Sequence, residues 1–219
     1  MPYPPASAST TAPALIMAVC LTCAALSGCD RPPPESEGAE ELRFVVVDSL
    51  LGPELVIEEA NKTLRPPEGF RAAPDSLLTA LREQGLAALQ DELTGLARSI
   101  RDVELVSALL DPARRAGLVV SVLRGVASDD EEYVEAYEGV LSDVSGSAEV
   151  RSGDYVVNDV YVRNFLVSDT SLIRFHLLCF SEGDEALELV YFASRSSYPS
   201  LVKAFESSIG TVRVVERGG

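Results

Sequence analysis

Four runs with a period of two follow one another at 147–157, 159–167, 171–180 and 185–193, parted by Asn158-Asp159, Ser168-Asp169-Thr170 and Ser181-Glu182-Gly183-Asp184. Alternation sends successive side chains to opposite faces, and turn-forming residues every ten or so positions leave room only for hairpins. The stretch is therefore expected as an antiparallel meander, and at least one of its faces must be covered by something else. Upstream, apolar runs at 42–47 and 118–123 also read as strands, with a weaker candidate at 103–110 before the turn signal Asp111-Pro112.

Helical periodicity supplies the cover. Leu77, Leu78, Leu81, Leu89, Leu93, Leu96 and Ile100 recur at helical spacing over 75–100 after an Asp75 cap, though Gly85 and Gly95 weaken that helix. A second helix is expected from Ser128, where Ser128 and Glu131 make a capping box and Tyr133, Val134, Tyr137, Val140, Leu141 and Val144 form an apolar stripe. A last one has Pro199 in its first turn, buries Leu201, Val202, Phe205 and Ile209, and ends at Gly210. Helices before, between and after the strands predict an α+β fold, an antiparallel β-sheet flanked by helices.

The chain also carries Arg65-Pro66-Pro67-Glu68-Gly69-Phe70, then the capped helix, the Asn158-Asp159 turn and three long strands, and closes on Phe205-Glu206-Ser207-Ser208-Ile209-Gly210-Thr211-Val212. In this order of elements residues 42–215 resemble the PsbP-like family. The resemblance implies an α/β/α sandwich. It also implies a binding or assembly role, since the family includes extrinsic lumenal subunits of photosystem II, a nuclear-transport factor and many bacterial envelope proteins. It transfers no metal-binding or partner-binding residue to this chain.

The first 29 residues are of another kind, because every Lys, Arg, Asp and Glu lies at or beyond Asp30. Residues 14–26 are thirteen mostly apolar positions, too short for the ~20 that cross a bilayer as a helix and the right length for a secretory h-region. They end in Leu26-Ser27-Gly28-Cys29, which resembles the bacterial lipobox. That resemblance implies cleavage before Cys29, diacylglycerol on its thiol and a domain held outside the cytoplasm at a bacterial membrane. Asp30 directly after the cysteine resembles an inner-membrane retention signal. Met1 to Pro13 lack the usual basic residue, which marks an atypical signal or a start codon set too far upstream. The expected organisation is a signal peptide at 1–28, a lipidated cysteine with a Pro- and Glu-rich linker at 29–41, and one domain at 42–219. The linker, extended at ~3.1 Å per residue, reaches about 35 to 40 Å. With Cys20 and Cys23 removed and Cys29 acylated, Cys179 is the one cysteine left in the domain, so no internal disulfide is expected.

Charge and motifs narrow the function. A net charge of −16 repels phosphate backbones, so nucleic acid is not an expected partner. There is no G-x-S-x-G, P-loop or G-x-G-x-x-G, and no Cys or His pair at metal-ligand spacing, so neither catalytic residues nor a metal or cofactor are expected. The acidic run Asp129-Asp130-Glu131-Glu132 is explained by the positive end of the helix it opens. His176, the only histidine, falls in mid-strand. Tight hairpins place Ile173, Phe175, Leu177 and Cys179 on the main core face with Val162, Leu166, Val190 and Phe192. The opposite face then carries Tyr161, Arg163, Phe165, Arg174, His176 and Tyr191, with Leu178 and Leu189. Cations among aromatics make it a candidate binding face, with another helix lying across it as the competing expectation. The function expected is a non-enzymatic envelope lipoprotein that binds a protein partner or small ligand; an envelope hydrolase using His176 is the alternative.

Overall fold

The structure, a computed structural model, describes residues 40–81, 102–145, 149–180 and 185–215. The chain divides by contacts into residues 1–32 and a compact unit of residues 33–219, and every described residue belongs to the second. The strands are β1 (Glu40–Glu41), β2 (Leu55–Ile57), β3 (Lys62–Leu64), β4 (Arg71–Ala72), β5 (Asp102–Asp111) and β6 (Ala116–Arg124). There follow β7 (Glu149–Val157), β8 (Val160–Ser168), β9 (Leu172–Phe180), β10 (Glu185–Ser194) and β11 (Arg213–Val214). The α-helices are α1 (Asp75–Leu81), α2 (Glu131–Ser145) and α3 (Tyr198–Ile209).

One sheet runs in the order β1-β7-β8-β9-β10-β6-β5-β4, antiparallel at every pair except β1 with β7. A small sheet, β11-β3-β2, is not hydrogen-bonded to it, but Ile57 of β2 and Leu64 of β3 pack into the same core as α3. The meander of the C-terminal half is as the period-two pattern requires, and β5 and β6 match the runs at 103–110 and 118–123. The turn at Asn158-Asp159 has φ of 47° and 64°, the paired left-handed conformation of a type I′ hairpin.

Apolar side chains leave the sheet on both faces. On one, Leu118, Val120, Val162, Leu177, Leu187 and Leu189 pack with Leu201, Phe205 and Ile209 of α3. On the other, Leu123, Phe165, Leu178 and Ala186 pack with Tyr133, Tyr137, Val140 and Leu141 of α2. The architecture is an α+β sandwich, one helix on each face of an antiparallel sheet. Gly117 is required at one crowded point, since a Cβ there would lie 2.5 Å from the Phe192 ring.

Three sequence expectations are corrected. Residues 42–47 are not a strand: β1 ends at Glu41, inside the stretch read as linker, and Leu42 N bonds Val156 O as the last rung. The chain then leaves the sheet as a strap along α3, where Ser207 Oγ donates to Val45 O and accepts from Val47 N. Only glycine at 210 admits it, because a Cβ there would sit 2.7 Å from Phe44 Cβ. Second, α2 begins at Glu131 rather than Ser128, and its cap is Asp130, whose Oδ1 accepts the Tyr133 N–H at 2.9 Å. Third, β10 is one residue out of the expected register. Tyr191 pairs with Phe175 and Leu189 with Leu177, which puts them on the α3 face and moves Val190 and Phe192 to the α2 face. Of the helix expected over 75–100, α1 covers 75–81 and residues 82–100 lie outside the described residues.

Candidate functional site

On the α2 face, Arg163 (β8), Leu178 (β9), Glu188 (β10) and Ser121 (β6) stand in one row across the sheet. The next row is Phe165, His176 and Val190, and the one after it Val167, Arg174 and Phe192. Five of the six residues expected there, Tyr161, Arg163, Phe165, Arg174 and His176, are on this face. Tyr191 is not. It is fully buried on the α3 face, its hydroxyl 2.8 Å from Ser208 Oγ and its ring 5.2 Å from that of Phe205.

Helix α2 lies across the face, and the arginines meet acids. Arg163 Nε and Nη2 donate to Asp154 of β7 at 2.7 and 2.9 Å, and Nη1 donates to Glu131 of α2 at 3.2 Å. Its Nη2 also donates to Tyr161 Oη at 3.2 Å. Arg174, two rows away, has Nη2 at 3.9 Å from Asp169 Oδ2. The two guanidinium groups thus face separate carboxylates of the fold, Arg163 through hydrogen bonds and Arg174 through a longer ion pair.

Between them lies a buried polar cluster. Glu188 is 2% exposed and His176 8%, and Tyr137 of α2 reaches both. The phenol donates to Glu188 Oε1, and its oxygen lies 2.9 Å from His176 Nδ1. With its one proton given to the carboxylate, Tyr137 Oη accepts from Nδ1, which fixes that tautomer of His176. Burial above all, with the charge of Glu188 next, pushes the Tyr137 hydroxyl well above the ordinary tyrosine range. His176 Nε2 is buried without a hydrogen-bond partner. Among the described residues no serine, threonine or cysteine is hydrogen-bonded to the imidazole.

Glu188 and Tyr137 carry this cluster, and sequence reasoning missed both. Glu188 had a signal, a lone acid inside an apolar run. Cys179 is fully buried on the α3 face, and desolvation pushes its thiol up to about 12. Lys62 of β3 is fully buried too, its ammonium destabilised by burial.

One surface feature remains open. Between the strap and the tip of the β7–β8 hairpin runs a groove of about 660 Å³, lined by Leu42, Phe44, Val46, Val156, Asn158 and Gly210 together with the charged Glu41, Arg43 and Asp159. Asn158 fixes the hairpin to the end of α3 by donating to Gly210 O at 2.8 Å and Val212 O at 2.9 Å. Among the described residues no three His, Cys, Asp or Glu stand together as metal ligands, and no helix is long and apolar enough to cross a membrane. Cys29 lies outside the described residues.

No family model and no curated protein matches the chain. Among solved structures it is similar to cyanobacterial PsbP (CyanoP) from Synechocystis sp. PCC 6803 in solution. The identity is 10%, over 74% of this chain and 91% of that one, at a TM-score of 0.48.

Proposed function

We propose that this chain is a lipid-anchored, non-enzymatic module of a bacterial envelope, held at the membrane by diacylglycerol on Cys29 and binding a protein partner or small ligand. The observation that carries this reading is the thirteen-residue apolar run ending in Leu26-Ser27-Gly28-Cys29 and followed at once by charged, proline-rich sequence. The domain's geometry agrees with a binding role. Its one histidine is sealed under α2 in a relay to Glu188, an arrangement suited to holding a helix on a sheet rather than to attacking a substrate. The binding surface is then the strap groove, since α2 takes the aromatic and cationic face. Asp30 makes the inner membrane the expected site in bacteria that read that signal.

The test is mass spectrometry of the protein isolated from its own membranes, with the envelope fractionated in parallel. The expected mature chain begins at Cys29 and carries acyl groups, and Cys29→Ser moves it out of the membrane fraction. An intact leader or a bare thiol at Cys29 sinks the reading. Affinity capture from detergent-solubilised envelopes then identifies the partner. A His176→Ala chain that folds but loses a measured activity would favour the hydrolase.

A further inference from the structure

The strap concentrates exposed apolar surface. Val45 is 81% exposed, Val46 40% and Val47 37%, three in succession, whereas Val56, Leu77 and Val214 are exposed singly. Isolated exposed valines are ordinary; a run of them on an ordered backbone is not. The backbone here is pinned inward, with Ser207 of α3 bonding Val45 O and Val47 N, and with Phe44 and Val46 against Gly210. In an extended segment the alternate residues then face away, so Arg43, Val45 and Val47 form the outer edge.

Two further observations say what meets that edge. In a chain of net charge −16, residues 42–47 contain no acid and one arginine, whose Nε donates to Glu41 Oε1 at 3.1 Å, so the valines form a short uncharged stretch between Glu41 and Asp48. It is also the first part of the domain after the tether. Fifteen residues separate Val45 from Cys29, and chain geometry limits the span of those sixteen steps to about 55 Å. No other apolar stretch of the domain is held so close to the anchor by so little chain, and such tethering turns a weak surface contact into an intramolecular one.

We propose that the outer edge of the strap, Val45 and Val47 with Arg43 beside them, docks onto the bilayer that holds the Cys29 anchor, inserting the valines at the headgroup boundary. This rests on the lipid-anchor reading above. Docking supplies the second signal that firm attachment of an acylated protein requires, and it fixes which side of the domain faces the membrane.

The experiment uses the full chain, acylated in a bacterial host and reconstituted in neutral phosphatidylcholine vesicles containing a lipid-borne fluorescence quencher. An environment-sensitive probe is placed at Val45→Cys, at Val47→Cys and, as the control on the exposed side of α3, at Lys203→Cys; buried Cys179 stays unlabelled. The expected result is a blue shift and strong quenching at 45 and 47 and neither at 203. Equal, water-like emission at all three positions in a chain whose acyl mass is intact overturns the docking and leaves the anchor standing. A blue shift at 45 that grows with protein density and ignores the lipid quencher overturns it in favour of a second copy. An unmodified Cys29 overturns the anchor and the docking with it.

Discussion

A carboxylate that is 2% exposed among Ala186, Leu187 and Leu189 has to be hydrogen-bonded, because an unpaired buried charge costs several kcal/mol. Glu188 meets this requirement through Tyr137, a residue 51 positions away whose ring also packs on Phe165 at 5.1 Å. Tyr137→Phe keeps the ring and removes the donor. We expect it to lower the unfolding free energy by about 1.5–3 kcal/mol, since the acceptor is charged. The carboxylate left behind causes most of that loss, so adding Glu188→Met to Tyr137→Phe should restore stability rather than cost more. Urea titration of the two single variants and the double one reads the coupling. A Tyr137→Phe protein within 0.5 kcal/mol of wild type, a difference on the order of ordinary surface substitutions, would mean that the cluster contributes nothing. The sequence showed Glu188 as an acid out of place but gave no sign of its partner, because pairing across 51 residues depends on how α2 settles over β10.

At the scale of elements, legibility followed the length of the pattern. Strands β7, β8, β9 and β10 were readable because each alternates for nine or ten residues, and α3 because Pro199 and Gly210 bracket it. What failed was decided by single residues. A shift of one position in the pairing of β9 with β10 exchanges every side chain of β10 between faces, so Tyr191 went to α3 and Glu188 came under α2. The strap read as a strand because 42–47 is apolar and β-branched, yet a side-chain hydroxyl and a glycine, not a neighbouring strand, receive it. The start of α2 is the third case, since Ser128 and Asp130 both suit a cap by composition. The bond from Tyr133 N to Asp130 Oδ1 chooses between them. Asp130→Ala should therefore cost about 1 kcal/mol, as a lost cap does, whereas Ser128→Ala should leave the thermal midpoint unchanged. If the serine variant is the more damaging, the helix begins where its capping box stands.

For the molecule as a whole, two cores on either side of one sheet place several ionisable groups where their charged forms are unwelcome. Tyr133 and Tyr137 point from α2 into the core beneath it, and Tyr155, Tyr191 and Cys179 face the other core. Burial leads the causes at each, raising the four phenols above the ordinary 10.0 and the thiol from 9.0 to about 12. A raised folded-state pKa means that the contribution to stability is complete below the unfolded value and is lost as pH climbs towards the folded one. Through neutral pH these groups therefore add no slope. Above about pH 9 the unfolded chain releases protons that the folded chain keeps, and stability falls by up to about 1.4 kcal/mol per pH unit for each group. Lys62 acts in the opposite sense, its lowered pKa returning stability as pH rises, but it is one amine against four phenols and a thiol. Denaturant midpoints taken between pH 8 and 11 at fixed ionic strength should be flat at first and then drop steeply. Cys179→Ala should make the drop shallower by about one proton's worth between pH 9 and 11, because neither the folded nor the unfolded chain then has a thiol to titrate. A variant with the wild-type slope would show that the thiol reaches water in the folded protein and that the sheet is not sealed on the α3 side.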